Sequence, residues 1–156
     1  MIDGSGRAVV RIEGPVDTPL LEPYVRLAAA RSGRVVPLDP DVRLGGKSLA
    51  SLRGTPLLVA FVTPGCASCT TLAQRLSELG GRARVIVLSE GGDGAGSVPD
   101  PPDTTGRGGG QAQRALGITS FPTLLAIDAR GRLVAAPIGL PGAATLSDAL
   151  TRAEAS

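Results

Sequence analysis

Two cysteines separated by two residues are the feature of this sequence most able to do chemistry. Cys66 and Cys69 lie in the stretch GCASC, and the chain of 156 residues contains no other cysteine. The thiolate is the reactive form of cysteine, and two neighbouring thiols can exchange electrons by forming and breaking a disulfide. The pair therefore predicts thiol-disulfide chemistry, with the local structure deciding which sulfur is accessible.

The residues on either side of the pair predict that it lies at the start of a helix. Residues 57–62 read LLVAFV, a continuous apolar run typical of a strand buried on both faces. After the pair, apolar residues recur at helical spacing: Cys69, Leu72, Ala73, Leu76 and Leu79, before Gly80 and Gly81. Because the first turn of a helix presents free N–H groups and the positive end of the dipole, it lowers the pKa of a thiol. We therefore expect Cys66 to attack and Cys69, on the same helical face, to resolve.

Three other interpretations of the cysteine pair compete with this one. A zinc site needs four ligands, and the chain offers two cysteines and no histidine. A purely structural disulfide across so short a loop removes little entropy from the unfolded chain. A reduced pair packed in the core is the third, but the flanking Pro64 and Gly65 favour a turn into a helix.

The composition excludes several classes of function. Without histidine the chain cannot form a Ser-His-Asp or Cys-His arrangement. Its net charge of +2, with one tyrosine and two phenylalanines, lacks the basic excess and the stacking surface of a nucleic-acid-binding protein. No stretch approaches the roughly 20 apolar residues of a membrane span, and the N-terminus lacks a signal-peptide pattern. We expect a soluble protein with no nucleic-acid partner, no membrane span in this chain, and no metal or other cofactor.

The remaining pattern predicts an α/β domain. An apolar run at residues 85–88 follows the helix, so strand, helix and strand form a βαβ unit with parallel strands. Downstream we expect a helix at residues 111–116, strands at 123–127 and 133–136 joined by a tight turn at 128–131, and a helix at 143–153. Upstream we expect a strand at residues 8–12, a helix at 23–31 that stops at Gly33, and irregular or hairpin structure at 34–53.

Taken together, these motifs resemble the thioredoxin superfamily, and more narrowly its TlpA-like and MauD-type thiol-disulfide oxidoreductases (redoxin domains). The resemblance rests on FVTPGCASC after a buried strand and on the later GITSFPTLLAIDARGRLV. It implies a thioredoxin-like fold, with a central mixed β-sheet flanked by helices, over residues 34–156. Residues 1–33 are then an N-terminal extension of unassigned role, and the Gly- and Pro-rich residues 89–110 are a flexible loop.

The resemblance also implies roles for individual residues. Pro122 matches the proline that follows a cis peptide bond in this superfamily and faces the cysteine pair. The backbone of Phe121 would pair with an extended substrate segment, with Pro64 and Gly65 completing the substrate-binding residues. The implied partners are a protein or small-molecule disulfide or dithiol and a separate electron donor. An extracytoplasmic location follows from the family if an upstream anchor was removed.

The sequence departs from thioredoxins at two positions, and two alternative functions stay open. Gly65 stands where thioredoxins have Trp, and Ala60 where they have a buried Asp that relays the proton of the resolving thiol. Water, or the hydroxyl of Thr63 or Ser68, is left for that task. Because the acid that assists thiol exchange is missing, the chain also fits a non-catalytic binding module with the thioredoxin fold. A peroxiredoxin-like thiol peroxidase fits Thr63, three residues before the first cysteine, but has Val59 in the place of that family's proline.

Overall fold

The helices and strands follow one another along a single chain. The structure is a computed structural model that describes residues 18–79, 81–89 and 109–155. Its elements are α1 (Thr18–Arg31), β1 (Val36–Pro37), β2 (Arg43–Leu44), β3 (Lys47–Ser48), a 3₁₀ turn (Leu49–Leu52), β4 (Leu57–Val62), α2 (Ala67–Ser77), β5 (Arg84–Ser89), α3 (Gly109–Leu116), β6 (Thr123–Ile127), β7 (Arg132–Ala135) and α4 (Ala143–Glu154).

A mixed sheet forms the centre of the described chain. Its strand order is β1-β7-β6-β4-β5, in which β4 and β5 are parallel and the other neighbouring pairs are antiparallel. Strand β4 lies between β6 and β5, and all 6 of its residues are buried. A strand with no solvent-facing side can be apolar at every position, which explains the LLVAFV run. The mixed sheet predicted from the sequence is confirmed.

Helices cover both faces of this sheet. Successive residues of a strand point to opposite faces, so Leu57, Val59 and Phe61 pack into one apolar cluster and the residues between them into another. The first cluster includes residues of α1 and α3, and the second includes residues of α2 and α4. The helix that carries the cysteines therefore lies on the same face as α4 and opposite α1 and α3.

The βαβ unit and the following hairpin are confirmed, although β5 spans Arg84–Ser89 rather than residues 85–88 and β7 spans Arg132–Ala135 rather than residues 133–136. Strands β4 and β5 pair in parallel with α2 between them. In the turn between β6 and β7, the buried Asp128 accepts hydrogen bonds from the backbone amides of Arg130 and Arg132, at 3.0 and 2.8 Å. The Arg132 side chain adds an ion pair to the same carboxylate at 2.7 Å. Gly131 has φ +82°, a conformation that glycine adopts without strain.

Several predicted helix boundaries differ from the structure. Helix α3 begins at Gly109 rather than at residue 111, and α4 ends at Glu154 rather than at residue 153. Helix α1 begins at Thr18 rather than at residue 23. The sequence predicts Pro23 in the first turn, which prolines favour, but the proline lies inside the helix. Its predicted end is confirmed: Gly33 has φ +88°, and the Arg34 amide donates to the Ala29 carbonyl at 3.0 Å. Helix α2 ends at Ser77, ahead of the glycines expected to stop it.

Part of the sequence interpretation lies outside the described residues. This applies to the strand expected at residues 8–12 and to residues 90–108 of the expected loop. The boundary between an extension and a domain at residue 33 stays a prediction. Helix α1, just ahead of that boundary, packs into the core of the sheet through Leu27 and Ala30. None of the helices in the described ranges is both long enough and apolar enough to cross a membrane.

Candidate active site

The cysteines lie where the chain leaves the central strand and enters α2. After Val62 the chain turns through residues 63–65, and Gly65 takes φ +73°, which favours glycine over any residue with a Cβ atom. Pro64 and Gly65 are exposed. The turn places Cys66 at the N-cap of α2, with extended backbone angles of φ −98° and ψ 107°.

Cys66 and Cys69 form a disulfide, with their Cα atoms 5.2 Å apart. The Cys66 sulfur accepts a hydrogen bond from the Cys69 backbone amide at 3.1 Å, the contact made by an N-cap side chain. Cys66 is half-buried, whereas Cys69 is fully buried against the apolar residues of α2 and the sheet. A thiolate arriving from solvent can therefore reach the sulfur of Cys66 and not that of Cys69.

The segment before β6 lies at the same edge of the sheet as the cysteine turn. Strands β4 and β6 are antiparallel, and Phe61 is opposite Thr123. The residues that follow β4, including Cys66, and those that precede β6, including Pro122, therefore lie at the same end of these two strands. The Phe121–Pro122 peptide bond is cis. Phe121 is half-buried and packs against both apolar clusters, while Pro122 is buried.

Two further residues at this edge were not identified from the sequence. Thr123 is fully buried, and its hydroxyl donates to the Ser120 carbonyl at 2.7 Å, which closes the turn that contains Phe121 and Pro122. Ile138 forms an isolated antiparallel bridge with Thr123, and its side chain is 38% exposed. Thr123 belongs to the Phe-Pro-Thr motif at residues 121–123, so the sequence does carry a signal for it. Ile138 reaches this edge through its bridge to β6 from the chain that follows β7, and local periodicity in the sequence does not encode that contact.

Among the described residues, the only buried carboxylate is that of Asp128, which follows β6 and so lies at the other end of that strand from Pro122. Ala60 lies in the middle of β4, is fully buried and belongs to the same apolar cluster as Cys69. Of the two hydroxyl residues considered for proton transfer, Thr63 is half-buried and Ser68 is exposed. Within the described ranges, no three Cys, Asp or Glu side chains come close enough to hold a metal ion. The chemistry that these groups can perform by themselves is disulfide exchange.

Comparison with known proteins supports the fold. The sequence matches no protein-family model, and it matches no curated protein. Among solved structures, a putative thioredoxin from Neisseria meningitidis has a TM-score of 0.57 at 22% identity, over 81% of this chain and 94% of that one. A thiol:disulfide interchange protein of the thioredoxin family from Chlorobium tepidum TLS has a TM-score of 0.55 at 21% identity, over 77% and 97%.

A third similar structure is the pneumococcal exposed lipoprotein thioredoxin from Streptococcus pneumoniae strain TIGR4. It has a TM-score of 0.52 at 19% identity, over 69% of this chain and 93% of that one. These matches, together with the mixed sheet and its flanking helices, confirm the fold expected from the sequence. The chain has the thioredoxin fold, with a CxxC disulfide at the start of α2.

Proposed function

We propose that this protein is a thiol-disulfide oxidoreductase that exchanges disulfides with a partner protein. The observation that carries the proposal is the asymmetry of the cysteine pair. Cys66 is half-exposed at the N-cap of α2, and it is bonded to the fully buried Cys69. One sulfur is thus accessible to a partner, while the other can be reached only by its neighbour within the chain.

The exchange takes two steps in the reducing direction. The Cys66 thiolate attacks a disulfide of the partner, forming a mixed disulfide and releasing one partner sulfur as a thiolate. The Cys69 thiolate then attacks the Cys66 sulfur, forming the Cys66–Cys69 disulfide and releasing the second partner sulfur. The partner gains two electrons and the protein loses two, so a separate dithiol donor must reduce the pair again. In the reverse direction the same steps oxidise a dithiol partner.

The edge of the sheet supplies the surface for the partner. Pro64 and Gly65 precede Cys66 in the chain, and Phe121 lies at the same end of the sheet. The resemblance to thioredoxins supports a role for the Phe121 backbone in pairing with an extended segment. Because Ala60 stands where thioredoxins have the buried acid, we expect the proton of the resolving thiol to pass to water or to a neighbouring hydroxyl group. These residue roles are part of the proposal.

A trapping experiment with matched variants tests the function. The Cys69→Ser variant cannot resolve, so we expect a stable mixed disulfide when it is mixed with an oxidised protein such as insulin, seen by intact mass. In the Cys66→Ser variant the remaining thiol is buried, so we expect no such adduct. Mixed disulfides formed equally fast by both variants, or by neither, would contradict the proposal.

The proposal extends to a location outside the cytoplasm. One similar structure is described as that of an exposed lipoprotein, and the resemblance to TlpA-like proteins supports the same setting. Fractionation of the native cells, followed by immunodetection of this chain, is expected to find it outside the cytoplasmic fraction. Recovery of the chain only with cytoplasmic proteins would contradict this part.

A further inference from the structure

The β7–α4 loop, residues 136–142, supports the segment that contains the cis-proline. Ile138 of this loop forms an antiparallel bridge with Thr123, the residue that follows Pro122. Paired backbone segments keep a fixed spacing, because hydrogen bonds join one main chain to the other. The placement of the Phe121–Pro122 segment therefore depends on where this loop is held.

An arginine of the helix that carries the cysteines holds the far end of the loop. Arg75, in the last turn of α2, donates through Nη1 to the carbonyl of Pro141 at 2.6 Å. Arg75 is half-buried and Pro141 is buried. A hydrogen bond from a charged donor is stronger than one between neutral groups, and a buried carbonyl left without a donor costs free energy. The contact therefore ties the β7–α4 loop to α2.

Packing on the same face of the sheet accompanies this hydrogen bond. Leu140, the residue before Pro141, packs against the apolar cluster that includes residues of α2 and α4. Cys66 and Phe121 pack against the same cluster. The end of the loop, the first cysteine and the residue before the cis-proline therefore share one apolar support.

The start of the loop has a separate contact from the other face of the sheet. Arg31 of α1 donates through Nε to the carbonyl of Ala136 at 3.3 Å, which is longer than the Arg75 contact. Helix α1 packs on the face opposite α2. Of these two arginine contacts, that of Arg75 is the one that joins the loop to the cysteine helix.

A continuous series of contacts thus links the two parts of the candidate site. It starts at Arg75 of α2 and passes to Pro141. Along the loop it reaches the bridge between Ile138 and Thr123. At one end is the helix that begins beside Cys66, and at the other is the cis-proline segment. The pairing of β4 with β6 links the same two parts through the sheet, so the arginine contact is a second link, made by a side chain.

We propose that Arg75 is a positioning residue for the exchange reaction: it holds the β7–α4 loop so that the Phe121–Pro122 segment is fixed before a partner binds. This inference rests on the proposed function. A segment that is already ordered loses less conformational entropy when an extended partner chain pairs with it. Arg75 lies at the opposite end of α2 from Cys66, so it acts on the partner-binding segment through the loop and not on the sulfur.

Three variants separate this hydrogen bond from the other effects of the side chain. Arg75→Met keeps an unbranched stem and removes the donors. Arg75→Lys keeps a charged donor that can bond to one carbonyl, so it provides the rescue. Arg82→Met is the matched control, because Arg82 forms an ion pair with Glu154 and its side chain is 52% exposed.

Two disulfide substrates report separately on the partner-binding segment and on the sulfurs. Each protein is reduced with dithiothreitol, which is then removed. It is mixed with a linear peptide joined to a second copy of itself by one disulfide, or with 2-hydroxyethyl disulfide, which has no backbone to pair with Phe121. In both reactions Cys66 attacks and Cys69 resolves, so the protein loses two electrons and the substrate gains two. Trapped thiols, counted by intact mass over time, give a second-order rate constant for each substrate.

Arg75→Met is expected to lower the rate constant for the peptide by about tenfold and that for 2-hydroxyethyl disulfide by less than about twofold. Arg75→Lys is expected to lose less than Arg75→Met, and Arg82→Met to change neither rate constant by more than about twofold. The redox midpoint of the cysteine pair is expected to stay the same in all three variants. An unchanged peptide rate constant in Arg75→Met, equal losses with both substrates, or a shifted midpoint in this variant would overturn the inference.

Amide hydrogen exchange provides a second readout that does not depend on the reaction. Fragments that cover residues 118–124 and 136–142 are compared between the unaltered protein and Arg75→Met, both in the disulfide form. We expect exchange in these two segments to be at least about tenfold faster in the variant, and exchange in β4 to be unchanged. Unchanged exchange in both segments would overturn the inference. If Arg75→Met does not fold, Arg75→Lys takes its place in both experiments, with smaller effects in the same direction.

The failure of this inference is distinguishable from the failure of the proposed function. If the unaltered protein reduces both substrates and Arg75→Met reduces them equally well, the positioning role fails and the redox function stands. If the unaltered protein reduces neither substrate, the proposed function fails and the inference fails with it.

Discussion

The sulfur of Cys66 accepts a hydrogen bond from the backbone amide of Cys69 at 3.1 Å. The same contact is the N-cap of α2, so the sulfur lies at the end of the helix where unpaired amides concentrate positive potential. The reactive atom is therefore placed by a turn that ends in Gly65 and by the start of a helix.

The first prediction is that the Cys66 thiol of the reduced protein has a pKa below its ordinary value. The helix amides stabilise the thiolate, so the pKa falls from about 8.5. The rate of alkylation by iodoacetamide, measured against pH on the Cys69→Ser variant, reports this pKa. The same variant unfolded in denaturant is the control and is expected to show the ordinary value. A folded-state midpoint equal to the unfolded one would contradict the assignment.

The second prediction concerns the close approach of two chain segments at Gly117. A Cβ atom there would lie 2.9 Å from the carbonyl carbon of Pro23, and φ is +70°. Gly139 has nearly the same angle, +69°, but open space around it. Gly117→Ala is expected to lower the free energy of unfolding by about 1–3 kcal/mol more than Gly139→Ala, because only the first adds a clash to the backbone strain. Urea unfolding measures both, and equal losses would show that α1 does not approach so closely.

The third prediction concerns the buried carboxylate at the far end of the sheet. Asp128 accepts two backbone amides and the Arg132 side chain. Asp128→Ala leaves these donors unpaired and is expected to lower the free energy of unfolding by about 1–3 kcal/mol. Asp128→Asn keeps an oxygen for the amides and is expected to cost less. Neither variant is expected to change the potential of the cysteine pair. A larger loss in the Asn variant, or an altered potential, would contradict this placement.

The sequence predicts best those elements whose patterns are local. Strands β4 and β6 have the predicted bounds, Leu57–Val62 and Thr123–Ile127, because a continuous apolar run of four to six residues is long enough for a buried strand and too short for a buried helix. The turn into α2 is predicted equally well, since glycine and proline beside a cysteine favour a helix start.

The parts that the sequence does not predict depend on contacts between distant segments. Pro23 suggests a helix start, but α1 already begins at Thr18, and the residues through which it packs on the sheet, Leu27 and Ala30, lie after the proline. The bridge between Thr123 and Ile138 joins the start of one strand to the chain that follows another.

A redox titration of the cysteine pair tests the central claim most directly. The protein is equilibrated in graded dithiol/disulfide buffers, and free thiols are trapped and counted by intact mass. The account predicts one reversible transition in which both thiols appear together, with a midpoint between about −270 mV, typical of a reductant, and about −120 mV, typical of an oxidant. A protein that forms no disulfide between Cys66 and Cys69 at any potential would contradict the account.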